Sequence, residues 1–193
     1  MNSRYIDIHT HHPTTATTIR TVGIHPWQTE GAMLPSEEAI MAADAVGEIG
    51  LDKVCGVDFG QQERLFAAQL DLAERHRKPV VLHVVRAFEE VMRQLSGRQL
   101  PAVIFHGFIG SKEQAERALQ QGYYLSFGMR SLASRKTVEA LQIVPLDRLF
   151  VETDEDQTPI EECYVQVATK RGVSVDALQQ ATQANFRRIF NKQ

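Results

Sequence analysis

The sequence predicts an α/β fold in which parallel strands, buried on both faces, alternate with amphipathic helices, and three observations carry that prediction. Short runs such as AVGEIGLD (45–52), VVLHV (80–84) and AVIFHGF (102–108) are too continuously apolar for strands with one wet face. Segments of helical spacing separate them, as in Leu65, Phe66, Leu70 and Ala73 of GQQERLFAAQLDLAERHR. Residues able to do chemistry recur at the carboxyl ends of the apolar runs, which is where function sits in a parallel barrel or an open sheet alike.

Taken in order, YIDIHTHH (5–12) opens the chain with strand-forming Tyr5, Ile6 and Ile8. PTTATTIR is polar and β-branched, and TVGIHPW is a short strand ended by Pro26 and Trp27 with His25 at its end. Ser36 caps a helix of acidic first turn over 36–45, and a strand with Glu48 inside it follows at once. The helix over 60–77 is closed by Lys78 and Pro79 before a strand that delivers His83. A helix at 87–95, a loop with Gly97 and Pro101, a strand carrying His106, and a helix at 112–121 ended by Gly122 come next. YYLSFG, a helix near 134–141, RLFVETD with Asp154, and helices near 160–170 and 175–190 complete the pattern. Seven strands are expected, near 4–9, 20–25, 45–50, 79–84, 102–107, 123–127 and 148–153.

With 193 residues, 43% hydrophobic and 23% charged, residues 1–193 read as one globular domain. A formal charge of −3 leaves no basic footprint for sequence-independent nucleic-acid binding, so any such contact must be local to a site. Cys55 and Cys163 are the only thiols and form no CxxC pair, which suits reduced, structural cysteines of a cytoplasmic protein. No apolar run approaches a membrane span, and MNSRYID lacks the apolar region of a signal peptide.

On a strand, side chains alternate faces, so His9 and His11 project together about 7 Å apart with Asp7 on the same face, a spacing from which two imidazoles can share one cation. Glu48, a carboxylate inside an apolar run, needs a partner. His83, His106 and Asp154 end other strands. Four histidines (His9, His11, His83, His106) and two carboxylates (Glu48, Asp154) on one rim suit two divalent cations bridged by a carboxylate, Mg, Mn or Zn being equally open. Glu48 in a salt bridge and Asp154 as a cap are the plain alternatives. His25 either donates to a substrate phosphate or packs under Trp27; Arg86 is either a phosphate clamp or a solvated helix start. His76 in AERHRKP reads as a solvated helix terminus.

DIHTHH, VGIHPW, AVGEIGLD, KPVVLHVVRA, FHGFIGS, YYLSFG, LFVETD and ANFRRIF, in this order, resemble the TatD family of metal-dependent hydrolases in the amidohydrolase-like barrel superfamily. The resemblance implies a TIM-barrel-like fold, one metal on His9, His11, Glu48 and Asp154, and a second on Glu48, His83 and His106. It also implies hydrolysis of DNA phosphodiesters, commonly from the 3′ end of single strands. Chemistry asks for the same parts: Asp154 to orient or deprotonate a water, Glu48 to hold the metals.

Three departures shape the expectation. Only about ten residues separate His12 from the next strand, too few for a parallel crossover, so the barrel should be incomplete. Val85 stands where the family places an arginine, with Arg86 one position later. After ETD, the segment EDQTPIEE brings Glu155, Asp156, Glu161 and Glu162, which would repel a polyanion. A small phosphoester, a small-molecule phosphatase or amidohydrolase reaction, and a metal-binding protein without turnover therefore stand beside single-stranded DNA hydrolysis.

Overall fold

The computed structural model describes residues 4–190 and divides into two compact units, residues 19–105 and a second unit formed by the N-terminal residues to Thr18 with His106 onward.

In the unit spanning Ile19 to Phe105, four strands lie in sequence order and parallel: β1 (Thr21–Val22), β2 (Ala45–Asp52), β3 (Val80–Val85) and β4 (Val103–Phe105). Helices α1 (Glu37–Ala42), α2 (Phe59–Arg75) and α3 (Phe88–Leu95) connect them. Ser36 Oγ accepts from Ala39 N–H and Asp58 Oδ1 from Gln61 N–H, supplying the caps that α1 and α2 require. Val46, Ile49 and Leu51 of β2, Val80 to Leu82 of β3, and Phe66 and Leu70 of α2 are fully or almost fully buried. Each such side chain contributes roughly 1.5–3 kcal/mol of transfer free energy. Gly50 pairs in register with His83, and with its φ of 150° any Cβ there would collide with the His83 carbonyl. The close approach of β2 to β3 brings the residues flanking Gly50 against His83.

Two glutamines of α2, two turns apart on one face, position the strand ends. Gln69 accepts from Ile24 N–H (2.6 Å) and donates to Ile24 C=O (3.1 Å), while Gln62 accepts from Asp52 N–H (2.8 Å) and donates to Asp52 C=O (3.0 Å). Both are buried.

The other unit holds α4 (Lys112–Gln120), β5 (Tyr124–Phe127), α5 (Met129–Leu132), α6 (Arg135–Leu141), β6 (Leu149–Val151), α7 (Ile160–Arg171) and α8 (Val175–Phe190). β5 pairs β6 in parallel. Ser111 and Gln114 form a capping box at α4, and Gly172, with φ of 74°, ends α7 in the left-handed region. The phenol of buried Tyr164 on α7 accepts from Ile6 N–H (3.1 Å), lies 2.9 Å from Ile6 C=O and meets Thr182 at 2.8 Å, so the N-terminal segment is tied down in the core.

The expected first strand is extended without forming a ladder, so six strands replace seven among the described residues. Its hydrogen bonds are split between two sides. Tyr5 C=O and Asp7 N–H engage Thr17, whereas Ile8 N–H donates to Val151 and the backbone of His9 and His11 engages Asp154. Asp154, at φ 55°, turns left-handed after β6 and so exchanges bonds with both histidine positions. No helix occupies 13–20, in line with the missing crossover. His76 differs from expectation: it is the C-cap of α2, and its ring is largely covered, with Nε2 3.9 Å from Glu37 Oε1. No helix among the described residues is long and apolar enough to cross a membrane.

Candidate metal centre

In the unit containing both termini, His9 and His11 turn their Nε2 atoms to within 3.2 Å of each other. Asp154 Oδ1 lies 3.4 Å from Nε2 of His11 and 3.8 Å from Nε2 of His9. Two imidazole nitrogens and a carboxylate oxygen thus converge, and the three qualify by spacing as a ligand group. Tetrahedral Zn–N bonds of about 2.0–2.1 Å would set two ligand nitrogens about 3.3 Å apart, so the donor set fits a divalent cation.

His106 packs against His9, ring centroids 4.2 Å apart, with its Nδ1 3.4 Å from Glu152 Oε1. Glu152 is fully buried. Burial pushes its carboxyl up, but the hydrogen bond and charge of His106 and the charge of His9 outweigh that and hold it below the usual range. Its Oε2 is buried with no hydrogen-bond partner, an orphan that a nearby positive charge would relieve. A carboxylate behind a histidine fixes the ring and its tautomer, the arrangement that usually backs a metal-ligating imidazole. Asp7 behaves oppositely: burial pushes its carboxyl up to about 6 despite two hydrogen bonds from Thr153, at 2.8 and 3.0 Å. Arg130, 65% exposed, sets its guanidinium 3.8 Å from Asp154 Oδ2 and 3.6 Å from Glu155 Oε2. A cavity of about 330 Å³ is walled by Thr10, Thr14, Thr153, Thr158, Asp156 and Glu161 among others.

The second cluster belongs to the 19–105 unit. His83 Nδ1 is 2.7 Å and His25 Nε2 is 3.2 Å from Glu48 Oε1, and these three also qualify by spacing as a ligand group. The partner that Glu48 needed is therefore a pair of imidazoles. His83 Nε2 in turn lies 3.2 Å from Asp52 Oδ2, which accepts from Trp27 Nε1–H at 2.6 Å. Burial works against the Asp52 charge, yet bonds from Trp27, Val54 N–H and His83 hold its carboxyl below the usual range. Since both neighbours of His83 are carboxylates, both contacts are hydrogen bonds only when both ring nitrogens carry a proton. Both nitrogens of the His83 ring are thus engaged by carboxylates.

Of the two expected roles of His25, the structure shows the packing against Trp27. Its Nδ1 accepts from Trp27 N–H (3.2 Å), which assigns the ring proton to Nε2 facing Glu48, and its ring meets Trp27 edge to face at 4.7 Å. Arg86 follows β3 on the exposed surface with φ of 52°.

Asp52 and Glu152 were not singled out by sequence, and Asp7 was noted only as a neighbour of His9 and His11. Signals for both existed: Asp52 lies four residues beyond Glu48 on the same strand face, and Glu152 is a carboxylate at the end of the apolar run LFV.

Parallel βα units with histidines and carboxylates at their strand ends define an α/β protein of TIM-barrel type, with six strands among the described residues where the full form has eight. The particular family follows from comparison. The chain belongs to the family described as TatD related DNase, whose profile matches residues 11–191. It is 37% identical over 152 residues to the metal-dependent hydrolase YjjV of Escherichia coli K12, an alignment covering 72% of this chain and 58% of that protein. It is 33% identical to the 3′-5′ ssDNA/RNA exonuclease TatD of Cronobacter turicensis, covering 89% of this chain and 76% of the relative. The crystal structure of YjjV from Escherichia coli K12 matches with a TM-score of 0.81 at 26% identity, over 100% of both chains.

Proposed function

We propose that residues 1–193 act as one metal-dependent hydrolase of phosphate esters, most directly a nuclease that releases nucleotides from single-stranded DNA, using two divalent cations (Mg, Mn or Zn). The observation that carries this is the convergence of His9, His11 and Asp154 at 3.2–3.8 Å. The family and the exonuclease name of the Cronobacter relative support the substrate.

When bound, divalent cations lower the pKa of water and stabilise charge on the phosphate oxygens. The protein supplies the rest. Asp154 divides its oxygens: Oδ1 faces His9 and His11, while Oδ2, on the Arg130 side, orients the attacking water and takes its proton. The water oxygen bonds to phosphorus, the bond to the preceding sugar oxygen breaks, and that oxygen is reprotonated from solvent. Glu152 fixes the His106 ring so that its other nitrogen serves as a ligand. Glu48 and His83 would hold the second cation, and Arg130 and Arg86 would offer guanidinium groups to phosphate. The free thiols of Cys55 and Cys163 support a cytoplasmic location.

The test is release of mononucleotides from single-stranded DNA with Mg or Mn. Activity that EDTA abolishes and that His106→Ala lacks supports the reading; cleavage indifferent to EDTA, or intact in His106→Ala, contradicts it. A small phosphoester substrate is the second reading. The hydroxyl-lined cavity of about 330 Å³ favours it, because Asp156 and Glu161 on its wall disfavour a polyanion but suit an uncharged leaving group.

A further inference from the structure

Trp27 is the only tryptophan of the chain, and 53% of it stays exposed. An indole left half in water forgoes much of the burial that large aromatic side chains normally obtain. Its orientation is nevertheless fixed from several directions. Nε1–H donates to Asp52 at 2.6 Å, the backbone N–H donates to His25 at 3.2 Å, and the ring stands edge to face against His25 (4.7 Å) and His83 (5.8 Å). Pro26 is buried beneath the same turn, whose first bond runs from Gln28 N–H to His25 C=O. Beside it Val54, 58% exposed, is tied by its N–H to the other oxygen of Asp52.

A flat aromatic that has already lost its rotamer freedom, held open to solvent next to groups that handle phosphate, is a preorganised stacking platform. Every nucleobase offers a π face, and stacking on aromatic side chains is how single strands are gripped without reading sequence. It also answers the electrostatic difficulty: with a net charge of −3, affinity for a single strand has to come from something other than a basic field.

We infer that Trp27 is a nucleobase-stacking site that seats one base of a single-stranded nucleic acid beside the His25–Glu48–His83 cluster. The inference rests on the nuclease reading and narrows it, because a sugar phosphate without a base gains nothing from this indole. Binding is measured by anisotropy with labelled phosphorothioate oligothymidylate, which resists cleavage, and with an abasic strand of equal length. The wild-type protein prefers the base-bearing strand about tenfold or more, and that strand quenches the single tryptophan's emission. In Trp27→Ala the preference falls to near one; in Trp27→Phe, which keeps a ring, most of it returns. Equal affinity of the wild-type protein for both strands overturns the inference, as does an undiminished preference in a folded Trp27→Ala. Cleavage without base preference would sink the stacking site and spare the nuclease; base preference without cleavage would do the reverse.

Discussion

The two clusters use the same residue types and differ in spacing. Around His9, His11 and Asp154 the donor atoms sit 3.2–3.8 Å apart, two of them nitrogens facing each other, a geometry that suits ligands converging on a shared ion. Around Glu48 the distances are 2.6–3.2 Å and link polar groups in a chain from Trp27 through Asp52 and His83 to Glu48 and His25. The first arrangement has the spacing of a ligand set, the second that of a hydrogen-bonded chain. Similar donors thus differ in how far their polar atoms are already satisfied by one another, which on the proposed function ranks the first cluster as the tighter cation site.

Removing a ligand from the first cluster should break the contrast most visibly. Asp154→Asn keeps shape and removes charge; the tighter metal-binding step should weaken about 100-fold or more, while the weaker one changes little, as read by calorimetric titration. If the weaker step were the one lost, the ranking of the clusters would be reversed.

The two buried aspartates sharpen the comparison through opposite pH signs in metal-depleted protein. Asp7, raised to about 6, favours its protonated form in the fold, so its favourable contribution is complete below about 4 and is lost as pH rises through 6. The Asp7→Asn difference from wild type should therefore move in favour of the variant by about 2–3 kcal/mol between pH 4 and 8. Denaturant melts showing no pH dependence of that difference would refute the buried, raised carboxyl. Asp52 is held below its usual range, so its stabilisation is present above the ordinary carboxylate range and disappears as pH falls through the lower folded value. Asp52→Asn should cost about 1 kcal/mol at pH 7 and less in acid. A cost that grows on acidification would contradict it.

Much of this was legible in the letters. The alternation of His9 and His11, the isolated carboxylate at Glu48, and His83, His106 and Asp154 at strand ends are local patterns, and periodicity placed the helices within a few residues. What could not be read depends on contacts distant in the chain. Trp27 meets Asp52 across 25 residues and Tyr164 meets Ile6 across 158, and neither bond leaves a trace in spacing. The segment at 4–9 was expected to form a strand because its composition is right; its hydrogen bonds are divided between Thr17 on one side and Val151 and Asp154 on the other, which no propensity encodes. His76 was read as solvated from its charged neighbours, yet its ring at the end of α2 is largely covered.

The most direct test of the contrast is calorimetric titration of metal-depleted protein with Mn or Zn. Two steps are expected, the weaker one disappearing in Glu48→Gln while the tighter one persists. A single step, or two steps that both survive Glu48→Gln, would contradict the division into two unequal sites.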